Sequence, residues 1–206
     1  MTLHPFDNDT GRDLARRRLA IGPACFVVLT LSLHDGRLTP CAGIDTVILG
    51  VARLRQRHGA DAMLLVAAGA VVDGDGDGDA NSDVDVDAVA EAELARLREL
   101  VRALAMKPHV RFLVATPLDT LRDCHAAANV LVSTPWRATD AGSAVDNGRA
   151  AICSDLTGAV LPPHDAEALA AWLARLQRLP RLALETVDAA CAHLADLPAP
   201  DKPAFE

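Results

Sequence analysis

Several features that mark other classes of protein are missing from this 206-residue sequence. No apolar run reaches 18 residues, so we expect no membrane-spanning segment. Residues 1–18 are polar and charged, which argues against a secretory signal and predicts a cytoplasmic protein. Lysine occurs only at positions 107 and 202, and outside residues 73–87 the chain has 20 basic against 21 acidic residues. We therefore expect no nucleic-acid partner.

The acidity of the chain is concentrated in one segment. The formal net charge is −8, and residues 73–87 contain seven aspartates and no basic residue. Asp73, Asp75 and Asp77 alternate with glycines as at the start of an EF-hand calcium loop. Val84, however, stands where that loop needs a bidentate glutamate. We predict a solvated loop here, with weak calcium binding as the alternative.

The cysteines and histidines give little indication of a metal site or a catalytic group. The five cysteines include no closely spaced pair of the kind that binds metal. Cys25 and Cys153 lie in apolar runs, which predicts buried thiols rather than disulfides. His34, His125 and His164 have no serine or cysteine partner at a recognisable nucleophile turn. We therefore predict no metal site and assign no catalytic residue.

Short apolar runs alternate with amphipathic segments along the chain. Strands are predicted at 25–31, 62–68, 110–114, 130–133, 150–153 and 158–161, and helices at 9–21, 44–58, 88–106, 118–127, 166–178 and 182–194. This alternation predicts an α/β fold, a Rossmann-like doubly wound parallel sheet of about six strands. We expect a single domain over residues 1–197 and a loose tail at 198–206. Such sheets bind ligands at the carboxyl ends of their strands, here near 32–43, 133–142 and 154–158.

Six short motifs follow one another in a recognisable order. They are GRL at 36–38 with GIDT at 43–46, DAMLLV at 61–66, HVRFL at 109–113, AAANVLVSTPW at 126–136, GRAAICSD at 148–155, and TGAVLPP with DAEAL at 157–169. Together they resemble the C-terminal, donor-binding half of the group 1 GT-B glycosyltransferases. The resemblance extends from about residue 10 to about residue 178.

The resemblance implies a binding site for a nucleoside diphosphate sugar, formed by residues from several loops and strand ends. The donor-binding residues that it implies are Gly36, Arg37, Phe112, Leu113, Ser133, Thr134 and Gly158. It also implies retaining glycosyl transfer with no cofactor and no obligatory metal. The acceptor-binding half of the family does not occur in this sequence. We therefore expect that the chain alone does not transfer sugar. If it belongs to an active enzyme, a separate glycosyltransferase chain must supply the acceptor-binding half.

Two departures from the family pattern leave a second hypothesis open. Arg37 matches the arginine that grips the donor diphosphate, but Ala42 stands where a lysine is expected. No glutamate occurs from residue 100 to 166, where the family has two. The chain is then either a donor-binding domain or a non-catalytic relative that acts as a protein-binding or scaffold module. We expect Arg111 to be a surface residue at a strand edge and Trp136 to serve packing.

Overall fold

A computed structural model describes residues 9–32, 38, 40–68, 83–114, 116–132 and 164–179 of the chain. Helices and strands alternate in the order α1 (Asp9–Arg18), β1 (Phe26–Ser32), α2 (Ile44–His58), β2 (Ala62–Ala68), α3 (Asp83–Ala103), β3 (Val110–Leu113), α4 (Leu118–Ala127), β4 (Val130–Val132) and α5 (Ala166–Arg178). Short 3-10 turns at Pro40–Ala42 and Lys107–His109 precede α2 and β3. None of the described helices is long and apolar enough to cross a membrane.

The four described strands form one parallel sheet in the order β3-β2-β1-β4. The chain builds outward from β1 through β2 to β3, and then returns to place β4 on the other side of β1. Phe26 lies opposite Ala62, and Thr30 opposite Val132. The predicted Rossmann-like α/β fold is therefore confirmed, although the strands predicted at 150–153 and 158–161 lie outside the described residues.

The sheet is covered by helices on both faces, and β1 shows how the sequence encodes this. Phe26 and Val28 belong to the core beneath α2, α3 and α5. Val27 and Leu29 belong to the core beneath α1 and α4. Val27, Val28 and Leu29 have no exposed surface. Because alternate side chains point to opposite faces, a strand buried on both faces is apolar at every position.

Two helices end earlier than the sequence predicts. We expected α1 to reach Ile21 and α3 to reach Met106, but they end at Arg18 and Ala103. Ala20 and Ala105 adopt left-handed conformations, with φ of 50° and 55°. At both helix ends the N–H group of the following residue turns back toward the helix. That of Met106 donates to the Val101 carbonyl at 2.9 Å. The left-handed residue that ends a helix in this way is usually glycine, so the alanines in the sequence did not indicate these helix ends.

The structure also corrects the predicted boundary between the acidic loop and α3. We predicted a loop through residue 87 and a helix from Ala88, but α3 begins at Asp83. Aspartates in the first turns of a helix are favoured by its macrodipole, which explains the earlier start. Residues 69–82 lie outside the described part, as do the helix predicted at 182–194 and the tail at 198–206.

Candidate functional site

The strand order places a switch point between β1 and β4 at the carboxyl edge of the sheet. After β1 the chain leads to β2 on one side, whereas β4 lies on the other side. α2, which follows β1, and α4, which leads to β4, lie on opposite faces of the sheet. In doubly wound sheets this switch point is the place where ligands bind. β1 ends at Ser32 and β4 ends at Val132, one on each side of this point.

The start of α2 lies beside the switch point because α2 follows β1. Gly43 precedes the helix in a left-handed conformation, with φ of 65°, which favours glycine. It lies directly after the 3-10 turn at Pro40–Ala42. The N-terminal end of a helix carries partial positive charge and attracts anions. Because α2 returns against the strand direction, this end faces the same edge of the sheet as the end of β1.

Three charged side chains form a chain of ion pairs beside the first turn of α2. The Arg96 guanidinium donates to both carboxylate oxygens of Glu93 at 2.7 Å and to Asp45 Oδ2 at 3.3 Å. Glu93 is buried, and hydrogen bonds to it hold the pKa of Arg96 above its ordinary value. Asp45 Oδ1 also accepts the N–H of Thr46 at 2.8 Å. Arg96 is therefore paired with two carboxylates and is not available to bind an anion at this edge of the sheet.

Phe112 and Leu113 lie at the carboxyl end of β3, at the side of the sheet away from β4. Phe112 pairs with Val66 and Leu113 with Ala67, and both side chains are half-buried. Thr116 closes the turn that follows, because its Oγ1 donates to the Leu113 carbonyl at 2.7 Å. The spacing of the sequence gave no signal for this role of Thr116. Since β2 separates β3 from β1, Phe112 and Leu113 lie about 10 Å from β1 at ordinary strand spacing, and the switch point is on the far side of β1.

Arg111 has a structural role that the sequence analysis did not identify. We expected a surface residue at the edge of the sheet, and the side chain is half-exposed on the edge strand β3. Its guanidinium donates to the carbonyls of Leu19 and Ala20. These carbonyls lie just after the end of α1, where a helix leaves acceptors unsatisfied. Arg111 therefore joins the end of α1 to the sheet.

A buried arginine, Arg16, makes several hydrogen bonds at the amino edge of the sheet, opposite the edge that contains the switch point. Arg16 is 5% exposed and donates through Nε and Nη2 to the Ala127 carbonyl, both at 3.1 Å. It also donates to the Pro23 carbonyl and to Asn129 Oδ1. The same Asn129 oxygen accepts the N–H of Val27 at 2.8 Å. Burial lowers the pKa of Arg16. Sequence analysis missed Arg16 and Asn129, which bind α1 to the starts of β1 and β4.

Two cysteines, Cys25 and Cys124, lie in the core beneath α1 and α4. Cys25 and Cys124 are buried free thiols, as predicted for Cys25, whereas Cys153 lies outside the described residues. Burial raises the pKa of both thiols, to about 11 for Cys124. Within the described ranges no three metal-binding side chains come together.

Solved structures with a similar fold are glycosyltransferases or related enzymes. The C-terminal domain of LpcC, a group 1 glycosyl transferase from Francisella tularensis, has a TM-score of 0.63 at 13% identity, and 93% of each chain is covered. The chain has the fold of a glycosyltransferase C-terminal domain. Sucrose-phosphate synthase from Thermosynechococcus elongatus has a TM-score of 0.62 at 23% identity, and Anabaena HepE in complex with UDP and glucose has 0.59 at 15%.

This glycosyltransferase C-terminal fold spans only part of the larger neighbours. The matches cover 89% of this chain but 44% of the sucrose-phosphate synthase, and 91% of this chain but 48% of HepE. No family model and no curated protein matches the sequence. The similarity is therefore one of fold alone.

Of the seven predicted donor-binding residues, Phe112 and Leu113 are within the described part of the chain. The other five, Gly36, Arg37, Ser133, Thr134 and Gly158, lie outside it. Four of these five belong to the two segments that leave the sheet after Ser32 and after Val132. Their assignment to a donor site stays a prediction.

Proposed function

We propose that this chain is a glycosyltransferase-type donor-binding domain that binds a nucleoside diphosphate sugar at the switch point between β1 and β4. The observation that carries the proposal is the strand order β3-β2-β1-β4. It makes neighbours of β1 and β4, and Gly36-Arg37 and Ser133-Thr134 follow these two strands in the sequence. Two motifs separated by about a hundred residues would then meet at one crevice.

The charges of the described residues support a particular role for Arg37. A diphosphate needs cations or N–H donors, because negative charge grows on the leaving nucleotide as the glycosidic bond breaks. The first turn of α2 supplies a positive helix end, but Asp45 lies on that turn and Arg96 is bound to Asp45 and Glu93. We therefore assign the positive charge that the diphosphate needs to Arg37, the residue that the family resemblance implies.

The chemistry proposed for a complete enzyme is retaining glycosyl transfer. In that enzyme a separate glycosyltransferase chain would supply the acceptor-binding half. The Anabaena neighbour is described in complex with UDP and glucose, which supports a nucleotide sugar as the ligand class. We assign no cofactor to this chemistry, and a cytoplasmic location stays a prediction.

A second function is favoured by a specific observation at Ala42. The 3-10 turn places Ala42 directly before Gly43 at the start of α2, where the family resemblance implies a lysine. Removing one group that stabilises charge in the transition state commonly costs about 3–4 kcal/mol, or a factor of 10²–10³ in rate. A non-catalytic relative that binds another protein through this fold is the alternative consistent with that loss.

Thermal unfolding of the full chain with UDP, GDP, ADP and their hexose adducts separates the two functions. A nucleotide present at about 100 times its Kd stabilises the folded state by about 2.7 kcal/mol, which raises the Tm by about 5–10 °C. We expect one nucleotide series to give such a shift and Arg37→Ala to abolish it. The same Tm measurements with calcium test whether the acidic segment binds this ion.

The matched control is Arg98→Ala, because Arg98 is an exposed arginine on α3 and should leave the shift unchanged. If no nucleotide shifts the Tm at millimolar concentration, the donor-binding function is wrong and the protein-binding function gains support. If a shift survives Arg37→Ala, the ligand binds without the residue to which we assign the diphosphate.

A further inference from the structure

A shallow groove of about 500 Å³ lies between the C-terminal ends of α2 and α5, at the opposite end of the fold from the proposed donor site. It is lined by His58, Ala171, Ala174, Arg175, Arg178 and Leu179. The floor is apolar and the rim is basic. Leu179 leaves 52% of its surface exposed, although it is a large apolar residue. Apolar surface of this kind gains free energy when another apolar group covers it.

The rim of the groove carries cationic side chains that lack carboxylate partners among the described residues. Arg178 lies 3.4 Å from His58 Nδ1, and Arg175 lies over the Trp172 ring at 5.4 Å from its centroid. By contrast, Arg57, the residue before His58 in α2, is already paired with Glu167. The groove is therefore complementary to a segment that has both apolar and acidic side chains.

We propose that the groove is the docking site of the chain's own segment 182–194. The described part of the chain ends at Leu179, which is itself part of the groove, so the segment emerges beside it. Residues 180–206 contain five acidic residues against one arginine and one lysine. Within the segment, apolar side chains recur with spacings of three, four and three residues, at Leu184, Val187, Cys191 and Leu194. This spacing is that of one face of a helix.

The length of the connection sets the register of the pairing. Only residues 179–181 separate Arg178 from Leu182, which is a length typical of two antiparallel helices joined by a short loop. With the same rise per residue in both helices, Glu185 lies level with Arg175. Glu185 is then within one turn of Arg178, and Asp188 continues the acidic edge. The apolar stripe faces Ala171, Ala174 and Leu179.

The proposal is tested by disulfide trapping in the full chain with the native thiol of Cys191. Cys41→Ser and Cys153→Ser remove other thiols, and Ala171→Cys places a partner in the groove. Cys25 and Cys124 are buried and do not compete. We expect an intrachain disulfide to Cys191 under mild oxidation, identified by peptide mass. The control is Ala103→Cys, an exposed position on α3, which should not trap Cys191.

A charge exchange tests the register independently of any thiol. Arg175→Glu should lower the Tm by about 2–4 °C, because it faces Glu185 with a like charge. Adding Glu185→Arg in the same chain should restore most of that loss. The exchange matters because Arg175→Glu alone also removes the contact with the Trp172 ring.

Three outcomes would overturn the proposal. The first is equal trapping of Cys191 by Ala171→Cys and Ala103→Cys. The second is a disulfide that forms between chains in proportion to protein concentration, which would place a second copy in the groove. The third is no recovery of Tm in the charge-exchanged double variant. None of these measurements involves a nucleotide, so they are independent of the proposed donor-binding function.

Discussion

The two faces of the sheet are held by different forces. On one face, α5 packs closely on α2, and a Cβ atom added at Gly50 would lie 2.7 Å from Leu169 Cδ2. The ion pairs between these two helices are at the surface, where Glu167 joins Arg53 and Arg57. On the other face, α1 is held by the buried Arg16, which is bound to backbone carbonyls and to Asn129. The contact between α2 and α5 depends on shape, whereas the contact of α1 with the sheet depends on a buried charge.

The difference shows which kind of contact a sequence reveals. Close packing of helices on a sheet leaves a periodic apolar pattern, and exposed ion pairs contribute little free energy. A buried guanidinium without a carboxylate is a costly arrangement unless several acceptors surround it. The face that contains Arg16 should therefore be the more sensitive of the two to a single polar substitution.

The largest effect is expected from Arg16→Met, which keeps the length of the side chain but removes its charge and donors. The carbonyls of Pro23 and Ala127 would lose a buried donor, and so would Asn129 Oδ1. A buried acceptor left without a partner costs about 1–3 kcal/mol, so we expect a loss of about 3 kcal/mol in the free energy of unfolding. Urea denaturation of both proteins measures it.

Arg17→Met is the matched control, because Arg17 is exposed and its one described bond is to the Asp13 carbonyl within the same helix. Surface changes of this kind usually alter the free energy of unfolding by less than about 0.5 kcal/mol. Equal losses for the two variants would show that Arg16 does not hold α1 to the sheet.

The next effect is a pH dependence on the same face. Burial raises the pKa of Cys124 to about 11 from an ordinary value of 9.0. The unfolded chain therefore releases this proton first as the pH rises. The stability contributed by the neutral thiol is complete below pH 9 and is lost between there and about 11, with a slope of up to about 1.4 kcal/mol per pH unit.

Cys124→Ala isolates this contribution from other groups that titrate in alkali. The difference in unfolding free energy between wild type and variant should shrink as the pH rises from 9 to 11. A difference that stays constant over this range would mean that Cys124 is not kept neutral by the fold. Denaturant titrations at several pH values supply the measurement.

The sequence predicts the parts of the fold that carry local signals. α2 runs from Ile44 to His58 as predicted, because Gly59 ends it in a left-handed conformation. α5 begins at Ala166 as predicted, and Asp165 accepts the N–H groups of Glu167 and Ala168. The left-handed alanines that end α1 and α3 carry no such signal, so those ends were predicted too late.

The candidate site shows the same limit. Alternation of strands and helices predicts that ligands bind at the carboxyl edge, and the strand order then gives the switch point. At the opposite edge of the sheet, the role of Arg16 could not be predicted, because it stands in a run with Arg17 and Arg18 and has the same local features. Its partner carbonyl at Ala127 lies 111 residues away in the chain. Such contacts depend on the tertiary fold and on no local pattern.

The smallest effect should come from Gly50→Ala on the face that depends on shape. Alanine is favoured over glycine within a helix by about 1 kcal/mol, so an exposed site would gain stability. At Gly50 the new methyl group would overlap Leu169, whose Cδ2 and Cγ atoms would lie 2.7 and 3.0 Å from it. Overpacking costs about 1–3 kcal/mol, so we expect a net loss of about 1 kcal/mol.

Leu169→Ala in the Gly50→Ala background tests whether that loss comes from the overlap. Leu169 is 2% exposed, so truncating it alone should cost about 2–5 kcal/mol by leaving a cavity. In the double variant the added methyl group fills part of that cavity, and the combined loss should be smaller than the sum of the two. Because residues in direct contact couple by about 0.5–3 kcal/mol, the shortfall is measurable in a double-mutant cycle. Additive losses would show that α2 and α5 do not meet at Gly50, and the contrast between a face held by shape and a face held by charge would then fail.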